Sequence, residues 1–295
     1  MIVTTNKYLP VIRKKIARSN SYLKIAETDG GDEAFYTKNL PAGYDDDEEY
    51  DDDDEMSDYD DMKSSKSFTS LTRPHQSMSG ENWRPVFHDR LTMFIAGAPG
   101  AGKSYLAKQM INLLPSNIPI LLFTALEEGD GNFKDLGKDR LYTIKMTPEN
   151  LSTITLKEIR DRVKTPQTIL LFDDVDKIRN SKVQAAIFSI MNDALANGRG
   201  HEKHDGEGDL HVVCTSHSAN DYQKTKYTFE NSNYVALFPG STPPLQMYRM
   251  FDKLGLSKEL CQKMIRLGKL QKIRSIIIHK VVPMYMIYGD KIMLL

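Results

Sequence analysis

The segment "GAPGAGKS", residues 97 to 104, constrains the fold of this chain more than any other feature. It follows the apolar run "LTMFIA" and precedes the helix-like stretch "YLAKQMINLL". The segment fits the pattern G-x-x-x-x-G-K-[ST] between a strand and a helix, which is the context that this pattern requires. Its glycines let the loop wrap so that backbone N–H groups and the helix N-terminus point at phosphate oxygens. The sequence therefore predicts a strand, loop and helix that bind a phosphate-bearing molecule.

Each polar residue of this loop has an expected task. Lys103 is expected to reach the β- and γ-phosphates of a nucleotide as a point charge, and the Ser104 hydroxyl to ligate Mg²⁺. The residues predicted to bind the nucleotide form one continuous segment: Gly97, Ala98, Pro99, Gly100, Ala101, Gly102, Lys103, Ser104 and Tyr105.

A second apolar run, "TILLFDD", ends in two carboxylates, Asp173 and Asp174. This is the Walker B arrangement, in which Asp173 would hold Mg²⁺ and Asp174 would orient or deprotonate the attacking water. A pair of aspartates at a strand end can also serve only to cap the helix that follows. The glycine-rich loop about seventy residues upstream favours the catalytic interpretation.

A third apolar run, "LHVVCTSHS", places Thr215 and His217 at a strand end, where they could sense the γ-phosphate. The preceding loop contains Arg199, and a projecting arginine can stabilise phosphate charge on a neighbouring subunit. The same loop holds His201, Glu202, His204 and Asp205. Because glycine clusters flank them, we expect these four residues to lie in a mobile surface loop and not in a metal site.

The apolar runs predict the fold class. Short, near-continuous apolar runs separated by helical stretches are typical of strands that are buried on both faces, as in a parallel sheet. We therefore expect an α/β protein with a mainly parallel sheet and flanking helices. The C-terminal "RSIIIHKVVPMYMIYGDKIMLL" contains Pro283 and a tight turn at Gly289–Asp290, which predicts an antiparallel hairpin at one edge of the sheet.

Residues 1–85 differ in composition from residues 86–295, for which we predict a single domain. Residues 45–61 carry 13 of the 40 acidic residues of the chain, which leaves 39 basic against 27 acidic residues elsewhere. Such a block predicts a largely disordered appendage, acting either as a solvated linker or as a polyanion that covers a basic surface. Leu9, Ile12, Ile16 and Leu23 also allow a short basic helix.

The sequence contains no pattern typical of export. The N-terminus lacks an apolar core of signal-peptide length, and His279, Lys280 and Pro283 interrupt the most apolar later stretch, so we expect a protein that is not secreted and has no transmembrane segment. Cys214 and Cys261 lack the spacing of a disulfide framework or a zinc site.

Taken together, these segments resemble the FtsK/HerA superfamily of P-loop ATPases, and within it the genome-packaging ATPases of large eukaryotic (nucleocytoplasmic) DNA viruses. The resemblance covers residues 91–295 and rests on the following segments: "GAPGAGKS", "ILLFDDVD", "GRGH" at 198–201, "VVCTSHS", "ENSNYVALFP" and "HKVVPMYMIYGDKIMLL". It implies an ASCE/RecA-like fold, with ATP and Mg²⁺ as cofactors. The activity that it implies is ATP hydrolysis coupled to DNA translocation.

The resemblance also implies partners and a location. Members commonly form hexameric rings that pass double-stranded DNA through a central pore, here into a capsid, in host cytoplasm at the viral assembly site or in the virion. Two positions depart from the family pattern. The sensor strand ends in Thr215-Ser216-His217 where Gln is frequent, and Thr225-Lys226 stands where related viral sequences often carry Thr-Arg. Arg199 is therefore the candidate arginine finger.

Contact with DNA has weaker support in the residues themselves. Residues 258–280 hold seven basic residues against Glu259 alone, which suits either non-specific phosphate contacts or a solvated helix face. Two other functions remain open. A nucleotide kinase shares the loop but needs an acceptor pocket and an arginine-rich lid, and a scaffold protein could use nucleotide as a conformational switch.

Overall fold

The structure of the protein is a computed structural model. It describes residues 11–13, 22–38, 75–76, 80–87, 90–124, 131–137, 139–144, 147, 154–163, 167–199, 209–218 and 222–295. The chain divides into two units. The first comprises residues 1–86 and 282–295, and the second comprises residues 87–281.

The described residues form strands and helices that we number in chain order. The strands are β1 (Val11–Arg13), β2 (Tyr22–Thr28), β3 (Glu33–Lys38), β4 (His75–Gln76), β5 (Trp83–Pro85), β6 (Thr92–Ala96), β7 (Ile120–Thr124), β8 (Leu141–Ile144), β9 (Thr168–Asp173), β10 (Leu210–Ser216), β11 (Tyr234–Leu237), β12 (Ile276–His279), β13 (Tyr285–Tyr288) and β14 (Lys291–Leu294). The α-helices are α1 (Lys103–Ile111), α2 (Leu156–Val163), α3 (Ser181–Asn197), α4 (Tyr222–Asn231), α5 (Pro244–Lys253) and α6 (Lys258–Lys269).

In the first unit, four short strands form an antiparallel sheet in the order β1-β3-β2-β5. Phe35 and Trp83 pack edge to face with ring centroids 6.2 Å apart, and both are buried. Within the appendage that we predict to be largely disordered, residues 22–38 form two strands, and Leu23 lies in a strand and not in a helix. The hairpin of β2 and β3 turns at Asp29–Asp32, which the low-complexity composition around it obscured. The acidic run 45–61 lies outside the described residues.

The same unit contains the end of the chain. β13 and β14 pair antiparallel, and the turn between them lies at Gly289, whose φ of 59° suits a residue without a side chain. The predicted C-terminal hairpin is confirmed. Residues 282–295 group with the N-terminal segment, and the single domain predicted for residues 86–295 stays a prediction.

The second unit is an α/β structure with its strands in the order β12-β11-β6-β10-β9-β7-β8. Every neighbouring pair from β11 to β8 is parallel, and β12 pairs antiparallel with β11. All residues of β6, β7, β9 and β10 are buried, as strands covered on both faces require. The mainly parallel fold class is therefore confirmed.

The strand order determines where the polar residues meet. Helix α1 contacts β6 and β10, and α3 contacts β10, so helices cover the central strands. β10 lies between β6 and β9, with Ser216 beside Ala96 and Cys214 beside Phe172. The carboxyl ends of these three parallel strands therefore share one edge of the sheet. No helix among the described residues is long and apolar enough to cross a membrane.

Candidate functional site

The glycine-rich loop joins β6 to α1 at this edge. Gly100 and Gly102 have φ angles of 75° and 104°, which glycine adopts without steric cost. Helix α1 begins at Lys103, and no side chain caps its first turn. A helix N-terminus with free N–H groups carries a partial positive charge and binds anions. The loop therefore has the backbone geometry of a phosphate site.

Lys103 is turned inward beneath the loop. Its side chain is only 6% exposed, and its Nζ atom lies 3.5 Å from the carbonyl oxygen of Ala98 and 3.7 Å from Oδ1 of Asp174. A buried ammonium is stable only when a negative charge or hydrogen-bond acceptors lie nearby. Its environment thus places a positive charge between the loop and the end of β9, where an anionic ligand would gain most from it.

Asp173 and Asp174 end β9 in different environments. Asp173 is 3% exposed, and its Oδ1 accepts a hydrogen bond of 2.8 Å from the hydroxyl of Thr215. Asp174 is about one third exposed and has a φ of 48°, a left-handed conformation that aspartate tolerates better than most residues. This conformation turns the chain out of the strand, so one carboxylate is fixed in the interior and the other faces the site.

Thr215 connects the two strand ends. Its Oγ1 accepts a hydrogen bond of 2.9 Å from the backbone N–H of Asp174 while its own proton is directed to Asp173, and Oδ1 of Asp174 lies 3.2 Å away. Because Thr215 is buried, solvent does not compete for these bonds. The hydroxyl therefore fixes the relative position of β9 and β10 at the point where the predicted catalytic residues lie.

His217 extends the same cluster. Its Nδ1 lies 3.3 Å from Oδ1 of Asp174 and 3.8 Å from Oδ1 of Asp176. The backbone N–H of His217 donates to Oδ2 of Asp176 over 3.2 Å, and the hydroxyl of Ser216 lies at the same distance from that oxygen. Sequence reasoning missed Asp176. The only available clue was its place two residues after Asp174 in "DDVD".

Ligand atoms of Asp174, Asp176 and His217 all lie within 4.8 Å of one another. Mg²⁺ prefers oxygen ligands in octahedral geometry, so a set containing an imidazole suits it less well than the predicted pair of Ser104 and Asp173. Asp173, buried and oriented by Thr215, has the oxygen donor and the fixed position that such an ion requires.

Arg199 does not lie near the cluster of Asp174, Asp176 and His217. It is exposed and follows the end of α3, on the side where β10 begins. β10 spans seven residues, or about 20 Å at the usual rise per residue, so Arg199 is separated by that length from Thr215 and His217 of its own chain. His201, Glu202, His204 and Asp205 lie outside the described residues. Lys226, within α4, lies 3.9 Å from Glu230 in an exposed ion pair.

A further arginine contacts the glycine-rich loop. Arg274 donates a hydrogen bond of 3.4 Å from Nε to the carbonyl oxygen of Ala101, and its guanidinium lies 5.6 Å from the centre of the Tyr105 ring. The sequence pattern gave no indication of this contact, because Arg274 stood only as one of several basic residues near the end of the chain.

Comparison with known proteins identifies the segment that builds this site. Residues 93–233 match the model of the ATPase family associated with various cellular activities (AAA). The protein "Uncharacterized protein V3" of Sputnik virophage is 27% identical over 207 residues, which are 68% of this chain and 76% of that protein. The family match over residues 93–233 confirms the P-loop ATPase recognised in the sequence.

Two solved structures are similar at lower identity. The genome packaging NTPase B204 from Sulfolobus turreted icosahedral virus 2, in complex with AMPPCP, is 14% identical with a TM-score of 0.36, covering 64% of this chain and 91% of that chain. The cytoplasmic domain of the Type VII secretion ATPase EccC from Thermomonospora curvata is 14% identical with a TM-score of 0.42, covering 75% of this chain and 28% of that chain.

Proposed function

We propose that this chain, whose residues 93–233 match the AAA ATPase family model, is an ATP-driven motor that moves double-stranded viral DNA into a capsid. The observation that carries the proposal is the convergence of Lys103, Asp174, Thr215 and His217 at the shared carboxyl edge of β6, β9 and β10. A loop that only binds phosphate has no need of a partly exposed carboxylate next to its lysine.

Hydrolysis requires an activated water molecule, and Asp174 is the residue suited to that task. Its carboxylate is open to the site, whereas that of Asp173 is buried and already accepts from Thr215. Asp174 would accept the proton of the attacking water, and His217 at 3.3 Å would hold the carboxylate toward the site. Lys103 would neutralise charge on the β- and γ-phosphates.

Mg²⁺ would be held by the hydroxyl of Ser104 and the carboxylate of Asp173. The ion supplies positive charge to the phosphate oxygens when it is bound. Ser104 lies in the first turn of α1, and Asp173 is held by Thr215 in one orientation. Thr215 thereby contributes to the metal position as well as to the position of Asp174, which fits the sensor role that we propose for Thr215 and His217.

Helix α6 is the surface that we assign to DNA. Its inner face is buried through Cys261, Met264, Ile265 and Gly268. Lys258, Lys263, Arg266 and Lys269 are exposed, as are Lys272 and Arg274 just beyond the helix. A row of exposed cations suits sequence-independent contact with phosphates, which is what translocation along a duplex needs.

We further propose that the working form is a homo-oligomeric ring, in which Arg199 acts on the nucleotide of a neighbouring subunit. Its place beyond the amino end of β10 puts it far from its own glycine-rich loop, as a residue acting in trans requires. The relative in Sputnik virophage supports a virus-related setting. Capsid proteins would be the remaining partners.

The test is steady-state ATP hydrolysis by the full chain, with and without long duplex DNA, over a range of salt concentrations. We expect strong stimulation by DNA, lost in Asp174→Asn, since asparagine keeps the left-handed turn but cannot accept the proton. The double variant Lys263→Ala with Arg266→Ala should bind DNA more weakly. The slope of log Kd against log salt concentration should fall by about two.

A matched control removes the same charge from another exposed surface. Lys134→Ala with Lys157→Ala should leave DNA stimulation unchanged. These two residues flank β8 in the sequence, and β8 is separated in the strand order from β12, the strand that follows α6. Hydrolysis that is indifferent to DNA in the wild type would contradict the motor, and turnover that transfers phosphate to a small acceptor would identify a kinase. Equal effects of the two double variants would contradict the assignment of DNA to α6.

A further inference from the structure

Arg274 reaches the glycine-rich loop because of the strand order. It lies between α6 and β12, and Ile276 at the start of β12 pairs with Leu237 at the end of β11. Leu237 in turn pairs with Ala96, the last residue of β6. Since β12 is antiparallel to its neighbour, its amino end lies at the same edge as the carboxyl ends of the parallel strands. The topology therefore brings Arg274 beside the loop that follows β6.

The segment carrying Arg274 is anchored on the body of the domain. A Cβ atom at Gly268, near the end of α6, would lie 2.5 Å from the backbone nitrogen of Gly240, so the two backbones touch. Phe238, two residues before Gly240, packs against Gly97: an atom of its ring lies 2.7 Å from where a Cβ of Gly97 would stand. These close approaches fix the end of α6 relative to the loop and so reduce the entropy lost when Arg274 binds a ligand.

The contacts of Arg274 lie along one side of the loop. Its Nε donates to the carbonyl oxygen of Ala101, and its Nη2 atom is 2.6 Å from where a Cβ of Gly102 would stand. The guanidinium also lies over the exposed ring of Tyr105, within the range of a cation–π interaction. Only Nε has a hydrogen-bond acceptor among the described residues, so the planar fork retains donors for an oxyanion.

This side of the loop differs from the side where hydrolysis would occur. Lys103 and the cluster of Asp174, Thr215 and His217 lie together below the loop, whereas Arg274 contacts none of these four residues in the structure. A nucleotide with its γ-phosphate near Asp174 would extend its α-phosphate, ribose and base toward the first turn of α1, where Tyr105 lies. The guanidinium is therefore placed for the part of the molecule that ATP and ADP share.

We infer that Arg274, held on the ring of Tyr105, is a nucleotide-binding residue that contacts the α-phosphate and nucleoside end of ATP and of ADP from the same subunit. The inference rests on the proposed ATPase function and adds a binding residue outside the glycine-rich loop. Because Arg274 follows the exposed cations of α6 in the chain, it also joins the nucleotide site to the surface that we assign to DNA.

The test is equilibrium binding of Mg·ADP and Mg·ATP to the full chain by calorimetry, together with kcat and KM. We expect Arg274→Ala to raise the Kd for both nucleotides on the order of tenfold, the loss of one charge-assisted contact. KM for ATP should rise more than kcat falls. Arg274→Lys should lie between, since it keeps the charge but not the planar stack. Tyr105→Leu should weaken both nucleotides in the same way.

Lys157→Ala is the control, an exposed cation that we assign to neither the nucleotide site nor the DNA surface, and it should change neither Kd by more than about twofold. Unchanged ADP affinity in Arg274→Ala would overturn the inference. A loss confined to ATP would also overturn it, because it would assign Arg274 to the γ-phosphate. A lower Tm with unchanged Kd would reduce Arg274 to a structural contact.

Failure of the proposed motor function and failure of the inference about Arg274 give different results. A wild type that binds ADP and ATP but ignores DNA fails the motor alone, and the comparison of Arg274→Ala with Lys157→Ala still decides the inference. A wild type that binds neither nucleotide fails both.

Discussion

Replacement of Thr215 by valine tests the central hydrogen bonds of the site. Valine has nearly the shape of threonine, so the buried side chain keeps its packing and loses only the hydroxyl. The change removes the donor to Asp173 at 2.8 Å and the acceptor of the Asp174 N–H at 2.9 Å. Asp173 then loses the hydrogen bond that orients it toward β10, and the hydroxyl no longer fixes the position of Asp174 to β10.

The size of the effect follows from the charge of the acceptor. A hydrogen bond to a charged group contributes about 1.5–3 kcal/mol. If this energy holds the two carboxylates in the geometry of the transition state, kcat should fall roughly 10- to 150-fold. Nucleotide binding through the glycine-rich loop should change much less, because Lys103 and the loop amides keep their positions.

Steady-state ATPase kinetics and ADP calorimetry measure these quantities, and a thermal melt checks that each variant is folded. Thr215→Ser is the matched variant, since it restores Oγ and should recover turnover to within about threefold. A valine variant with wild-type kcat would refute the role of the hydroxyl. A serine variant as slow as valine would show that the hydroxyl alone does not suffice and that the methyl group is needed as well.

Three other predictions concern binding, pH and stability. Lys103→Ala should abolish ATP turnover, because the phosphates lose their main cationic contact, and unchanged turnover in a steady-state assay would refute the site assignment. Burial lowers the pKa of His211 from 6.5 to about 4, so the folded state loses stability as the pH falls below 6.5. Urea unfolding should show that the wild type is about 2 kcal/mol less stable at pH 5 than at pH 7. His211→Asn, which can still accept a hydrogen bond from the Leu91 N–H, should not show this loss. Arg90 is buried and donates to the carbonyls of Ala194, Leu195 and Leu210, so Arg90→Met should destabilise the fold by about 2–4 kcal/mol, whereas Arg266→Met on the exposed face of α6 should stay within about 0.5 kcal/mol.

The amino-acid sequence by itself determined the α/β class, the glycine-rich loop and the two aspartates at the end of β9. These features depend on short stretches of chain: buried parallel strands read as apolar runs, and a phosphate loop needs its glycines and lysine at fixed spacing. Composition was a poorer guide in the N-terminal region, where residues 22–38 form two strands of a hairpin despite the acidic block nearby.

Only the tertiary structure decided which of the polar residues act together. Nothing local places β10 between β6 and β9, and without that order Thr215 could not bond to both aspartates. Asp176 and Arg274 entered the site for the same reason, the latter through an antiparallel strand that begins 180 residues after β6 ends. Strand order is set by the packing of the whole sheet, so contacts of this range cannot be derived from the spacing of residues along the chain.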